Sequence, residues 1–262
     1  MPGQGLRKGA LRKGAPFALC LLLPPQAGAA LCEANRLDEQ VVVGYVYDGD
    51  TVRLSDGRKL RLIGVDAPEI GRDKGPDEPF AAQARAALSA WLAESPHLGL
   101  RYDRERTDAY GRVLAHAYLA NGDNVAARLL VRGLGVSLVV PPNVRGAECR
   151  RAAERAAQAG RLGVWSLPSH QPLDAVRLTA QTAGFRRIDG VVSRVGERQG
   201  DLWLHVGPRL RVHIPRTARD LFQVGPDQLM GVRLHVQGVV KPGRRSSYMR
   251  VQHPTALEII TQ

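Results

Sequence analysis

The stretch from Val41 to Val65 constrains the fold more than any other part of the chain. Two tight-turn signals, Asp48-Gly49-Asp50 and Asp56-Gly57, cut it into three short β-prone runs: Val41–Tyr47, Thr51–Leu54 and Leu60–Val65. Asp-Gly pairs supply the positive φ that tight hairpins need, so successive runs must fold back antiparallel. Pro68 cannot donate to a ladder and stops the third run. A parallel α/β sheet needs a long crossover after each strand, and this segment has none.

The rest of the chain extends this start. Residues 70–79 are polar, with Gly71, Gly75, Pro76 and Pro79, and read as a loop. Phe80–Ala93 is Ala-rich with helical apolar spacing. Leu98–Tyr102 and Val113–Leu119 read as strands joined by the charged connection Asp103–Arg112. Asn124–Val131 is helical and stops at Gly133, and Val136–Val140 is short and extended before Pro141-Pro142. Arg145–Ala159 reads as a helix with a basic face, ended by Gly160. Short turn-linked strands followed by helices fit a small closed barrel with helices at its end.

Pro168, Pro172 and Gly184 punctuate a stretch without periodicity, read as a linker over 167–184. Beyond it, Ile188–Val195, Leu202–Val206 and Leu210–Ile214 read as strands, Thr217–Phe222 as a short helix capped by Thr217, and Val232–Val240 and Tyr248–Val251 as further strands. Three strands, a helix and two strands is the order of an OB-type barrel. The expected fold class is therefore mainly β with packed helices (α+β): a five-stranded OB-type barrel over 30–166, then a second small OB-like β domain over 185–262.

Arg7, Lys8, Arg12 and Lys13 precede the apolar run Phe17–Leu23, and Ala27-Gly28-Ala29 supplies small residues at a cleavage site. Residues 1–29 read as a secretory signal peptide, which places the mature chain in the periplasm or outside the cell. No apolar run is long enough to span a bilayer, so no stable membrane insertion is expected after cleavage. Two cysteines then remain, Cys32 and Cys149, which can pair in an oxidising compartment or stay as thiols. Of the 37 Lys+Arg and 25 Asp+Glu, residues 30–184 hold 20 and 19, and residues 185–262 hold 13 and 6. Nearly all the mature positive excess lies in the last third, where it suits a polyanionic partner or simply a soluble surface.

Three segments carry chemistry: Asp48-Gly49-Asp50-Thr51, Arg61 to Glu69, and Asp108-Ala109-Tyr110-Gly111-Arg112. A barrel can bring Asp50, at a tight turn, to Asp66, at a strand end. Two carboxylates and a backbone carbonyl make a hard oxygen site for calcium or magnesium. Glu69 lies one turn beyond Asp66, in reach of a water near such an ion. Arg61 leads to Asp66 along a strand, so its contact with the site depends on local twist or a bulge. Arginines at 61 and 112 offer the planar, bidentate grip that phosphate takes. The histidines show no zinc-ligand spacing, and no phosphate-cradling glycine loop or serine-nucleophile elbow occurs. Trp91 and Trp165 read as core, His116 as a barrel residue. In the second unit Trp203, His205, Arg209, Arg211, His213 and Tyr248 mix aromatic and basic side chains on strands, as binders of single-stranded nucleic acid do.

With these three motifs in this order, residues 41–166 resemble the staphylococcal nuclease (thermonuclease) family, and the resemblance runs on to Val164-Trp165-Ser166. It implies calcium-dependent cleavage of single-stranded DNA and RNA, on the 5′-oxygen side, leaving 3′-phosphate ends. Asp50 and Asp66 match the family's metal-binding aspartates and Ala67 its carbonyl ligand. Glu69 matches the glutamate that holds water, Arg61 and Arg112 the phosphate-gripping arginines, Tyr110 a tyrosine beside the phosphate, and Asp48 a supporting aspartate. There are departures. Ala67 stands where the best-known member has threonine, the 70–79 loop is shorter, and Leu138-Val139-Val140-Pro141 lacks the tyrosines that stack on a base. Such stacking is worth about 1–3 kcal/mol. A non-catalytic module of two OB-type barrels that only binds nucleic acid is the alternative, and no protein partner is evident.

Overall fold

The computed structural model describes residues 31–71 and 75–260. The export signal expected over residues 1–29 lies outside the described residues. The first barrel comprises β1 (Glu39–Val46), β2 (Thr51–Leu54), β3 (Lys59–Leu62), β4 (His97–Arg101) and β5 (Val113–Tyr118), closed in the order β1-β2-β3-β5-β4. Its pairings are antiparallel except β3 with β5, which run parallel because the helix α1 (Ala81–Glu94) and β4 intervene between them. Alternate residues fill the barrel: Val52, Leu54, Leu60 and Leu62 are buried.

The third strand ends at Leu62, three residues before the expected Val65. Gly64 takes φ +98°, and the Arg61 guanidinium captures the Leu62 and Val65 carbonyls at 2.9 and 2.8 Å, which removes them from any ladder. A Cβ on Gly64 would meet Arg150 Nε at 2.0 Å, so only glycine fits this crossing. Val136–Val140 is likewise not a strand; Val136 makes a single bridge with Asp66.

Against the barrel lie α1, which buries Ala84, Leu88, Trp91 and Leu92, and α2 (Val125–Val131), capped by Asn124 Oδ1 accepting from Ala127 N at 3.0 Å. The next helix, α3 (Ala147–Ala159), does not present the uniform basic face expected: Arg150 and Arg151 are each 2% exposed. A disulfide joins Cys32 to Cys149 and so ties the start of the described chain to α3.

Within the stretch read as a linker, β6 (Pro172–Asp174) already pairs with β7 (Gly184–Arg198). The following strands are β8 (Asp201–Val206), β9 (Leu210–Ile214), β10 (Arg233–Lys241), β11 (Ser247–Arg250) and β12 (Leu257–Ile259). Pairing of β10 with β7 closes a second ring, β7-β8-β9-β11-β10, again with a single parallel contact, β9 with β11. It repeats the strand order of the first barrel around a separate core that includes Ile188, Leu204, Val212, Val236 and Met249. The short helix expected to be capped by Thr217 is instead a 3-10 turn, Arg216–Leu221, entered from Pro215 with no side-chain cap.

The barrels meet along α3. Glu154, fully buried, accepts from Ser137 N at 2.7 Å and from Gln237 Nε2 at 2.9 Å, and pairs with Arg151. Arg151 also reaches Glu258 at 2.9 Å. Beside them His170 stacks on Phe185 with centroids 4.8 Å apart, and both rings stand edge-on to Trp165. Burial, with Arg186 and Arg187 nearby, pushes the His170 pKa down to about 4.

Two predictions follow from this seam. Glu154→Leu leaves Arg151 charged and buried with its nearest partner gone, and is expected to cost about 3–5 kcal/mol in urea unfolding; a change under about 1 kcal/mol would contradict the role given to the pair. His170 is neutral in the folded chain, so its contribution is complete above the ordinary histidine pKa and is lost as pH falls from about 6.5 toward 4. Over that window the wild type should lose stability relative to His170→Phe, measured by denaturant titration at stepped pH.

Candidate active site

The first turn of the barrel is built around two buried aspartates. Asp48 Oδ1 accepts from Asp50 N at 3.0 Å and Thr51 N at 2.7 Å, a local turn that fixes the Asp50 backbone. Gly49 has no room for a side chain, since a Cβ there would lie 2.7 Å from that of Ala67 and 2.8 Å from that of Ala84. Asp50, 1% exposed, therefore points at the segment after β3. Its Oδ2 accepts from Ala67 N at 2.8 Å and pairs with Arg61 Nη2 at 3.1 Å, while Oδ1 accepts from the Thr51 hydroxyl at 2.9 Å.

Asp66 comes to the same place because its backbone is locked to Val136 in both directions, at 2.8 and 2.9 Å. Its Oδ1 lies 3.0 Å from Arg61 Nη2. One guanidinium nitrogen is thus shared by both carboxylates. Arg61 achieves this by curling over the end of β3, where it also holds two carbonyls, and the contact that strand geometry alone left open is made. Burial drives the Asp50 pKa up to about 7, with Asp48 and Asp66 adding to it and Arg61 and the Ala67 N–H opposing it. The Asp66 carboxylate lines the mouth of a cleft and has about half its surface open to solvent. That burial raises its pKa too, Arg61 opposes, and Glu78 and Asp48 add to the rise.

The shared nitrogen and the two raised pKa values bear on metal binding. Two carboxylates converge where burial disfavours their charge, and one cation already offsets only part of it. A divalent cation would relieve the same deficit, and oxygen-seeking calcium or magnesium completes its shell with carbonyls and water. Among the described residues no cluster of three or more His, Cys, Asp or Glu forms a ready-made cage. Ala67 is seen to contribute its N–H to Asp50.

Arg112 stands one residue before β5, and the parallel register sets Arg61 beside Leu114, two residues further on. Its guanidinium is held by Asp108, Nε to Oδ2 at 2.6 Å, and lies 5.5 Å from the Tyr110 ring. Asp108 also accepts from the Tyr110 and Arg112 N–H groups, both at 2.9 Å. Burial would raise the Asp108 pKa, but these donors outweigh it and hold the carboxyl below its usual range. Tyr110 is 86% exposed and touches neither carboxylate of the central pair. Glu69 is exposed at the rim. Its N–H donates to Glu78 Oε2 and its carbonyl accepts from Glu78 N, both at 3.0 Å. Cys32 and Cys149 are engaged in their disulfide and supply no group here.

Of the residues that support the site, Glu78 escaped the sequence reading, whereas Asp108 and Thr51 lay in its motifs without the roles they take here. Glu78 clasps the loop bearing Glu69, Asp108 aims Arg112, and Thr51 orients Asp50. Beyond Asp66 a cleft of about 390 Å³ runs between the barrels, lined in part by Pro68, Glu78, His170, Phe185 and Arg186.

The profile of the family described as staphylococcal nuclease homologue matches residues 59–167. The chain is similar to the thermonuclease of Staphylococcus intermedius, 35% identical over 131 residues, which cover 48% of this chain and 76% of that one. It is 32% identical over 145 residues to the thermonuclease of Staphylococcus hyicus, covering 54% and 83%. With endonuclease YncB of Bacillus subtilis (strain 168) it shares 33% identity over 131 residues, covering 48% and 61%.

The pKa of Asp50 sets a pH dependence. In chelator the folded chain prefers Asp50 neutral, so that preference is fully stabilising below the unfolded pKa of about 3.9 and is lost as pH rises through about 7. The wild type should lose stability relative to Asp50→Asn across that window, and a divalent cation should restore it at the upper end. A difference that stays flat from pH 4 to 7 would show that Asp50 is ionised throughout.

Proposed function

The chain belongs to the staphylococcal nuclease family, and from that premise we propose that it is an exported, calcium-dependent nuclease. It hydrolyses phosphodiester bonds of single-stranded DNA and RNA to 3′-phosphate products. The observation that carries this reading is the Arg61 nitrogen shared by Asp50 and Asp66. It gathers two carboxylates and an arginine at the mouth of a barrel, with a second arginine delivered by the adjacent strand. Relatives named thermonuclease and endonuclease support phosphodiester chemistry.

Calcium, held by Asp50 and Asp66 with the Ala67 carbonyl, would supply charge neutralisation and orientation of the phosphate when bound. The protein's own groups do the rest. Glu69 holds the attacking water and takes its proton. The water oxygen forms a bond to phosphorus as the bond to the 5′-oxygen breaks, and that oxygen leaves with a proton from solvent. Arg61 and Arg112 donate to the phosphate oxygens where negative charge grows. Asp108 keeps Arg112 in a fixed rotamer, so little side-chain entropy is lost when phosphate arrives. Tyr110, open to solvent, lines the approach to the phosphate.

Export is supported by the disulfide, because such bonds persist in oxidising compartments. Among the described residues no helix is long and apolar enough to cross a membrane.

Release of acid-soluble nucleotides from single-stranded DNA and RNA tests the proposal. Activity with calcium should vanish in chelator and return on adding calcium back. Glu69→Gln should lower the rate by roughly 10²–10⁴-fold while leaving binding intact. Binding without release, with calcium present, would identify an inactive nucleic-acid-binding relative instead.

A further inference from the structure

The outer wall of the second barrel carries a pattern that the cleavage reading does not use. Side chains alternate in and out along each strand, so residues in register on neighbouring strands share a face. On β8 the leucines and valine at 202, 204 and 206 are buried, which turns Trp203 and His205 outward. Register then sets His213 beside Trp203, Arg211 beside His205, and Arg194 beside His205 from the other side. The parallel pairing places Tyr248 beside Arg211 and Arg250 beside His213, and Lys241 lies beside Tyr248. Read across five strands, one row is Arg194, His205, Arg211, Tyr248, Lys241. The next contains Gly196, Trp203, His213 and Arg250.

The side chains use this placement. Trp203 and His213 stack with centroids 4.3 Å apart and planes 17° from parallel, and Tyr248 leans on both at 6.1 and 5.9 Å. His213 is fixed there by Asp201, 2.9 Å from its Nε2. Arg211 lies 5.8 Å from the Trp203 ring. The neighbour of Trp203 on β7 is Gly196, and the space a Cβ would take there is empty, so that flank of the indole is open. Arg194, Arg211, Lys241 and Arg250 are all exposed, and residues 185–262 hold 13 basic against 6 acidic side chains. His205 is held below its ordinary pKa by burial and by the two flanking arginines, which shows that the row crowds positive charge together. Arg209, from the same sequence cluster, sits in the turn before β9 and is half-buried.

We propose that the Trp203–His213–Tyr248 slab and the cationic row of Arg194, Arg211 and Lys241 bind single-stranded nucleic acid. Bases lie on the aromatic slab and phosphates along the arginines and lysine. Unpaired bases have free π-faces, whereas those of a duplex are stacked internally, so the slab selects single strands. The inference does not depend on the chain being a nuclease. If it is one, the face is a handle that keeps a long strand near the catalytic barrel.

The test uses the full chain in chelator, where cleavage cannot intervene, and a fluorescein-labelled oligothymidylate of about 30 residues read by anisotropy. Trp203→Ala with Tyr248→Ala should weaken binding roughly 5- to 160-fold, the range given by loss of one stacked base. Trp203→Phe, which keeps a ring, should restore most of it and so separates stacking from misfolding. Arg194→Ala with Arg211→Ala should lower the slope of log K against log salt by about 1.4, at about 0.7 per phosphate contact. In calcium, hydrolysis of a mononucleotide aryl phosphodiester, too short to reach the face, should be unchanged in all these variants. Unchanged oligonucleotide binding in the alanine variants would overturn the proposal, as would a duplex of equal length binding as well and with the same dependence on Trp203. If the variants lose binding but no variant or wild type cleaves anything, the face stands and the nuclease reading falls.

Discussion

Asp50 is the residue on which the mouth of the first barrel depends. It sits on a tight turn with no exposed surface to speak of, and an isolated carboxylate there would cost far more than the turn provides. The surrounding chain answers that cost from three directions: the Thr51 hydroxyl, the Ala67 N–H and the Arg61 guanidinium. Each answer fixes another part of the site. Ala67 is held in place, so Asp66 and the segment toward Glu69 are held with it. Arg61 stays in the ladder opposite Thr51 and Leu114, and its guanidinium reaches past the end of β3 to Asp50, holding two carbonyls as it does so. The same electrostatic deficit is one that a divalent cation would relieve.

The parallel contact between β3 and β5 has a comparable reach. It is the one pairing in the ring that a hairpin cannot make, and it requires α1 and β4 to be inserted between the two strands. It also brings the Asp108–Arg112 turn to the strand that carries Arg61. Two arginines separated by about fifty residues thereby serve one rim.

The second barrel repeats this strand order with different furniture. Where the first barrel collects carboxylates and arginines at a mouth, the second spreads rings and cations over its wall. The seam between them is polar at its centre, where Glu154, Arg151 and Gln237 satisfy one another away from water. The rings of Trp165, His170 and Phe185 lie beside it. Such a seam fixes orientation through hydrogen-bond geometry as well as through area, so the two surfaces keep a set relation.

The sequence by itself determined the local plan. Its apolar alternation, with Asp-Gly turns in the first ring, predicted the strands of both rings, because backbone sterics and hairpin chemistry act over a few residues. Motif order singled out Asp50, Arg61, Asp66 and Arg112. What only the tertiary structure decided were the contacts between distant segments. Arg61 keeps its place in the alternation of β3, and its long side chain curls past the strand end to bridge two carboxylates, a contact set by where the Asp50 turn and the Asp66 segment meet. The basic face of α3 turned inward, since Arg150 and Arg151 found partners or cover that helical periodicity cannot foresee. Glu78 became part of the site by proximity alone. The rows on the second barrel became visible only when register aligned five strands, because pairing across a sheet depends on closure, which no single strand encodes.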